Sequence, residues 1–498
     1  MLNKNKNPKM LNLSKTDFKE FLICKKCLWL KKKKPELYVE GEVSGFLKKL
    51  IEEGYEVEGY FQKKFKDGVE LRGAKEDLIE RTQKLIKEKK TIFQATFETK
   101  EGLLAKVDVL DFNQKTDKWD LYEVKASSEV KKDLFHNHPK DIAFQKIVLE
   151  KSGIEIGKSY LIYLNKEYRK KGNLDLDKLF VYEEMDKKIE EIKKETELEI
   201  QKALEALKID EVDLKGCGCL YRSHGQRCDC FEVFNPQVPK YSTAHIVGGK
   251  KLWALVDEDV FDVKEIPEDF SLTKIQKVKV DLQKTGLPKI NQKKINRIFE
   301  DLQFPLYFLD YETFGKAIPL LEGYKPNQQV VFQYSLHILE KDGGLKHFEF
   351  LAENLEDATK NLLKSMQKNI GPVGNVVVWN ESFEKGKNKE LMELHPEYKD
   401  FLEALNDRVF DLMVIFKKHY LSPDFYGSAS IKKVLPVLVP ELSYKSLEVQ
   451  DGTMAMDVWG KIIFGNLEAE EKQKIRKNLL KYCKLDTLAM VEIFKKLK

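Results

Sequence analysis

Three groups of residues in this sequence are of types, and at spacings, that do chemistry. The first is Asp108 followed by Glu123-Val124-Lys125. Residues two apart in a strand point to one face, so Glu123 and Lys125 project together. Asp108, at the end of a preceding strand, can converge on them across a hairpin. Two carboxylates can hold Mg²⁺, a hard cation that takes oxygen ligands and keeps several of its waters. A lysine beside them can orient or deprotonate a water and offset charge on a phosphate. Asp-x(n)-Glu-x-Lys is a minimal kit for phosphodiester hydrolysis, although a solvated strand face in a lysine-rich chain has the same spacing. The second group is Asp310 and Glu312, two apart at the end of the apolar run PLYFLDYETF. Far downstream, Tyr482 and Asp486 are four apart and share one face of a helix. Between them VVVWNESFEKGK runs from strand into helix, with Glu384 at the helix start. The third group is cysteine: Cys24 and Cys27 near the start, then Cys217, Cys219, Cys228 and Cys230 within fourteen residues, with Cys483 apart. Disulfides are rare in a cytosolic chain, and clustering of this kind points to a metal.

The elements that must carry these residues follow from periodicity. Residues 10–35 read as a helix, with Ser14 and Asp17 as a capping box and Phe18, Phe21, Leu22, Leu28 and Trp29 as the apolar face. A helical stretch follows around 43–53. From 91 the pattern shortens to a meander of strands, TIFQATFET, LLAKVDVLDF and WDLYEVKA, then a helix ending at Gly153 and the strand KSYLIYLN. That order implies an α/β core. Residues 184–208 are a highly charged helix, and 236–300, with four prolines and little periodicity, read as a connecting region. A second α/β pattern opens at 305 with the strands PLYFLDYETF, VVFQYSLHILE and HFEFLAE. A helix over 355–370, the strand NVVVWNESF and a mainly helical remainder complete it.

Bulk composition sets the limits. At 498 residues two to four domains are expected. No apolar run approaches the ~20 residues needed to span a bilayer, and the basic N-terminus lacks the apolar segment of a secretory signal. A cytoplasmic protein with no membrane partner is the expectation. The 87 basic and 82 acidic residues nearly cancel to +5, so net charge neither demands nor excludes nucleic acid, and the lysine runs at 31–34 and 63–66 read as solvated faces. The absence of a P-loop, a G-x-G-x-x-G turn after a strand and H-E-x-x-H argues against an ordinary metabolic enzyme.

The Asp108, Glu123 and Lys125 stretch resembles the PD-(D/E)xK nucleases of the RecB-like type, including the CRISPR-associated exonucleases. The resemblance covers about residues 10–235 and implies a restriction-endonuclease-like core. It implies that Asp108 and Glu123 hold a metal, that Lys125 is catalytic, and that Gln145 of the following helix meets metal or nucleic acid. The His or Glu that such proteins often carry in their first helix is placed at Glu42. In the iron–sulfur subset of this family one cysteine precedes the core and three follow, so Cys24 with Cys217, Cys219, Cys228 and Cys230 are the implied ligands of a [4Fe–4S] cluster. The spacing C-x-C-x8-C-x-C departs from the family's trio, six cysteines exceed four ligands, and Zn²⁺ on Cys217, Cys219, Cys228 and Cys230 is an alternative.

The second group resembles the DnaQ-like DEDD 3′–5′ exonucleases of the RNase H-like fold, over about residues 301–498. The first motif is Asp310/Glu312, the second Asn380-Glu381-Ser382-Phe383-Glu384 with Glu in place of the usual Asp, and the third Tyr482/Asp486, the tyrosine subtype. The resemblance implies that Asp310, Glu312, Glu384 and Asp486 hold two Mg²⁺ or Mn²⁺ about 4 Å apart, with Tyr482 placing the attacking water. Asp411 matches a further position often acidic in that fold, against the reading of a helix-start Asp. Lys432 and Lys433 are candidates for contact with a phosphate backbone, against the reading of a capped surface helix. The wider C-terminal stretch, including GSASIKKVLPVLVPELSYKSLEVQDG, resembles a bacterial family that pairs the two nuclease types, and that resemblance covers nearly all of the chain. The expected function is metal-dependent hydrolysis of DNA or RNA, exonucleolytic, on single-stranded or frayed ends. The alternative is a nucleic-acid-binding or scaffold protein with one or both centres degenerate.

Overall fold

The computed structural model describes residues 11–38 and 45–498, so Glu42 lies outside the described residues. The structure is mixed α/β. It divides into two compact units, one mainly of residues up to Phe261 and the other mainly of Asp262–Lys498.

The first unit is built on seven strands: β1 (Leu13–Ser14), β2 (Val69–Glu70), β3 (Ile92–Glu98), β4 (Leu103–Asn113), β5 (Lys118–Lys125), β6 (Ile156–Leu164) and β7 (Phe180–Glu184). They lie in the order β2-β3-β4-β5-β6-β7, with β1 added beside β4. β3, β4 and β5 form the antiparallel meander that the short apolar runs imply. β5 and β6 are parallel, so the chain must cross over between them, and the helix His138–Lys151 does so. Asn137 caps this helix and Pro139 occupies its first turn, where a missing N–H costs nothing. It is buried on nearly every side and packs against the helix Asp186–Lys208, whose buried stripe is Ile189, Thr196, Ile200, Ala203 and Leu207.

The single helix expected over 10–35 is in fact two. Lys15–Ile23 and Lys25–Lys33 are separated by Cys24, which is extended (φ −156°, ψ 111°) and ends one helix while starting the next. The Ser14/Asp17 capping box is formed. Periodicity runs through the break because both short helices press apolar residues inward, so the sequence alone does not reveal the turn.

The second unit holds β8 (Lys289–Ile290), β9 (Leu306–Gly315), β10 (Gln329–Leu339), β11 (Leu345–Leu351), β12 (Val376–Val378), β13 (Val409–Asp411) and β14 (Tyr420–Leu421). Five make one sheet in the order β11-β10-β9-β12-β13. The first three strands are antiparallel, and β12 runs parallel to both β9 and β13. The C-terminal helix Ala469–Leu497 packs on β9 and β10. The core includes Phe332 stacked on Trp459 at 4.4 Å and Phe308 against Phe494 at 5.8 Å. β13 falls in a stretch read as helical, because three residues between two helices are too few to show a period of two. Residues 236–300, read as a connection, contain the helices Lys250–Asp257, Lys274–Thr285 and Gln292–Glu300. Ile295 and Phe299, four apart and buried, were the available signal for the last of them. Among the described residues no helix is long and apolar enough to cross a membrane.

The strand β12 is entered through Gly374, at φ +94°, where a Cβ would lie 2.1 Å from the carbonyl oxygen of Pro305. Both the backbone conformation and the backbone clash exclude a side chain. Gly374→Ala is expected to cost about 2–3 kcal/mol of stability, measurable by urea unfolding. A loss below about 0.5 kcal/mol, within the range of ordinary surface substitutions, would show that the turn yields.

Candidate functional site

In the first unit β4 and β5 pair from Val109/Tyr122 to Asn113/Lys118 and then part. Asp108 is the next residue of β4 beyond the last pair, and its Oδ2 accepts the Val124 N–H at 2.8 Å. A side chain thus takes the donor that a longer ladder would have used, and the two strands fork. Into the fork project Glu123 and Lys125, on one face as the spacing requires. Glu123 is fully buried. Its Oε1 accepts from Lys125 Nζ and from Lys15 Nζ, each at 2.6 Å, and its Oε2 from Gln145 Nε2 at 2.5 Å. The four residues expected here, Asp108, Glu123, Lys125 and Gln145, are therefore together.

Three further groups were not anticipated. Lys15 follows β1, which lies against the start of β4. It is 108 residues from Glu123, so no local pattern could reveal the pair. Asp141 is buried and within 3.4 Å of both Lys125 and Lys19. It is four residues before Gln145, a same-face spacing that was readable. Glu58, on the helix Gly45–Gln62, is buried. It accepts from Gln62 at 2.9 Å and also from Gln94, and its charge is felt by Asp108. Asp141 Oδ1 and Gln145 Oε1 are buried oxygens without a hydrogen-bond partner.

Burial and the neighbouring Glu123 push Asp108 up to about 8, against the pull of Lys15 and Lys125. Burial also opposes ionisation of Glu123, but the Lys125 and Lys15 ammonium groups outweigh it and hold that carboxyl well below its usual range. One fork thus holds a committed anion beside a carboxyl that retains its proton near neutrality.

The second centre lies on β9 against the C-terminal helix. Asp310 and Glu312 stand opposite Ser335 and Gln333 of β10. Ligand atoms of Asp310, Glu312 and Cys483 all lie within 4.8 Å of one another, and Cys483 Sγ is 3.8 Å from Asp310 Oδ2. Asp486, one turn after Tyr482, accepts the Tyr444 hydroxyl at 2.7 Å and is also hydrogen-bonded by Tyr482. Its Oδ2 is buried with no partner, as is Oε2 of Glu384. Glu384 sits in the first turn of the helix Glu381–Leu394. Burial drives the Asp310 carboxyl far above its usual range, and Asp486, Glu312 and Glu384 add to the effect in that order. All four expected carboxylates therefore share one electrostatic environment. Burial lifts Asp486 to about 7, with Tyr444, Lys432 and Tyr482 opposing, and lifts Glu384 to about 8, with Asp411 adding.

Asp411 ends β13 and accepts the Met413 N–H at 3.0 Å, and its charge is felt by Glu384. Lys432 offsets the charge of Glu312 and Asp486. Lys433 lies over the Tyr426 ring, 5.8 Å from its centre. Tyr444 was not foreseen, since it stands 42 residues from Asp486 in an irregular stretch. Gly452, first residue of the helix Gly452–Phe464, brings backbone close to the same carboxylates: a Cβ there would lie 3.4 Å from Glu312 Oε2.

In the first unit Cys24, Cys27, Cys217, Cys219, Cys228 and Cys230 are all buried and unpaired by disulfides. They lie in one cluster with Trp29, Leu30, Phe231 and Phe234. The sulfurs of Cys24, Cys217, Cys219 and Cys228 lie within 4.8 Å of one another, and this group could hold a metal ion. Cys230, expected as a ligand, is not a member of that group of four. Cys217 and Cys228 are 3.9 Å apart. Asn235 Nδ2 donates to Cys217 at 3.4 Å, and Arg222 Nη1 to Cys219 at 3.6 Å. The extended Cys24 between two helices is what turns its thiol toward the later segment.

A family model described as a domain of unknown function (DUF2779) matches residues 307–430, which include Asp310, Glu312, Glu384 and Asp411. An uncharacterized protein of Mycoplasma genitalium is 29% identical over 220 residues, 40% of this chain and 33% of its own length. A homologue of it in Mycoplasma pneumoniae is 27% identical over the same shares. An uncharacterized protein of Ureaplasma parvum is 25% identical over 43% of this chain and 34% of its own. The chain spans about a third of the length of these curated relatives.

Asp486 and Glu384 keep protons to about pH 7 and 8 when folded, against ordinary values of 3.8 and 4.5. The unfolded chain gains by ionising across that window, so these groups lower stability as pH rises from about 4 to about 8. In EDTA, the wild type should lose thermal stability relative to Asp486→Asn over this range. A constant difference between the two would show that Asp486 titrates normally.

Proposed function

We propose that the chain is a metal-dependent nuclease whose C-terminal centre is a 3′–5′ exonuclease of the DnaQ-like type. One observation carries the reading: Glu312, Glu384 and Asp486 are buried with Asp310 half-buried beside them, and two of the four have bare oxygens. Anions so placed must be neutralised by protons or by cations. The four carboxylates offer oxygen donors, which suit Mg²⁺ or Mn²⁺, with the Cys483 thiol beside Asp310 and Glu312. When bound, such ions supply Lewis-acid stabilisation of an in-line phosphoryl displacement. Asp310 and Glu312, fixed on a strand, and Asp486, fixed by Tyr444, would be the ligands, with Glu384 reaching in from its helix. The Tyr482 hydroxyl, beside Asp486, is placed to orient a water. Lys432 balances the carboxylates and can meet an incoming phosphate.

The N-terminal centre supports a PD-(D/E)xK reading through Asp108, Glu123, Lys125 and Gln145. Lys125, held protonated by Glu123 and Asp141 against the cost of burial, stabilises phosphate charge rather than acting as a base. A specific observation also favours the binding alternative for this centre: three donors already occupy Glu123. The cysteine group supports a structural metal. A tetrahedral ion with Zn–S bonds of 2.3 Å sets its sulfurs about 3.8 Å apart, close to the 3.9 Å between Cys217 and Cys228. This favours Zn²⁺ over a wider [4Fe–4S] cluster.

The test is degradation of 5′- and 3′-labelled DNA and RNA oligonucleotides with Mn²⁺ or Mg²⁺. Laddering from the 3′ end is expected, and Asp310→Ala/Glu312→Ala should reduce it by more than about 100-fold, since even outer-shell changes at metal sites cost 10–100-fold. Laddering that survives the double variant would transfer the activity to the N-terminal centre, and no cleavage by the wild type under any condition would leave only the binding role. Lys125→Ala is expected to spare the 3′ laddering. Loss of all cleavage in that variant would show that the two centres depend on each other.

A further inference from the structure

We propose that the cysteine cluster is a six-thiolate site for two Zn²⁺-like ions, bridged by Cys24 and Cys228. The inference rests on the reading of this cluster as a metal centre and goes beyond a single tetrathiolate ion. The six residues come as three closely spaced pairs: Cys24/Cys27, Cys217/Cys219 and Cys228/Cys230. Each pair can present two sulfurs to one place. Cys24, Cys217, Cys219 and Cys228 form one compact group. The Cys27 thiol is within hydrogen-bonding reach of Cys228, Cys230 and Cys24. Cys27 therefore adjoins the first group at Cys24 and Cys228 and links that edge to Cys230. Cys24 and Cys228 each touch Cys217, Cys219 and Cys27.

A single tetrahedral ion consumes four thiolates. It would strand Cys27 and Cys230 as buried thiols beside a charged centre. A second ion held by Cys27 and Cys230, and sharing Cys24 and Cys228, gives each ion four sulfurs and employs all six. Six thiolates around two divalent ions carry two net negative charges. The surroundings meet that charge through the Asn235 amide on Cys217, the Arg222 guanidinium on Cys219, and Arg227, which lies near both. Arg227 Nε is buried without a hydrogen-bond partner. A sulfur-rich, oxygen-free donor set selects Zn²⁺ or Cd²⁺ over Mg²⁺.

The experiment is metal stoichiometry on the intact chain, by native mass spectrometry and elemental analysis after purification with Zn²⁺ present. Two Zn²⁺ per chain are expected. ¹¹³Cd-substituted wild type should give two resonances coupled through shared sulfurs, a readout that needs no variant to fold. Cys27→Ser and Cys230→Ser should each lower the count from two to one. One ion per chain, unchanged in Cys27→Ser, would overturn the two-ion site while leaving a tetrathiolate centre. Iron with inorganic sulfide would overturn it in favour of a cluster. A chain that binds no metal at all would refute the metal reading of these cysteines altogether.

Discussion

Like charges held out of water are the constraint around which this molecule is arranged. A lone buried carboxylate costs several kcal/mol, and its ordinary escape is to take a proton. Here each anion has others beside it, which makes protons harder still to remove unless a cation takes their place. At the β4/β5 fork two lysines settle the matter for Glu123 and leave Asp108 protonated. At β9 no lysine among the described residues forms an ion pair with the carboxylates. Lys432 and two tyrosine hydroxyls only temper the repulsion among Asp310, Glu312 and Asp486. The two centres therefore differ in kind: one is balanced by its own side chains, the other is open to an outside cation.

Rigid elements hold the groups in this costly arrangement. Asp310 and Glu312 are held in β9 by its pairing with β10, just past the point where β12 leaves the strand's other edge. Asp486 and Tyr482 ride a 29-residue helix pinned by Phe308 and Phe494. Tyr444 ties Asp486 from a third direction. The fork in the first unit is similarly over-determined, since Asp108 is hydrogen-bonded to the backbone of the strand that carries Glu123. Such support keeps ligands in place without relying on loops.

What the sequence disclosed follows the range of the forces involved. Strands with period two and helices with apolar stripes were readable, and with them the pairing of Glu123 with Lys125 and of Tyr482 with Asp486. Residues delivered by long-range packing were not: Lys15, Glu58 and Tyr444 carry no local mark of their role. Asp141 was within reach, being one helical turn from Gln145. The break at Cys24 was hidden because the apolar stripe continues through it. β13 was hidden because its three residues are held by β12 rather than by any preference of their own.

That break at Cys24 also bears on how the chain is made. The thiol at position 24 meets partners that begin at 217, so the nest cannot close until the segment from Cys217 to Cys228 has been made. A crosslink spanning about 200 residues removes roughly 5 kcal/mol of unfolded-chain entropy, and a metal clasp would deliver that only at the end. The described residues before Cys24 have anchors of their own, since β1 lies beside β4 and Lys15 meets Glu123. A metal clasp at the cysteines would therefore tighten an attachment that the strand pairing of β1 with β4 already provides.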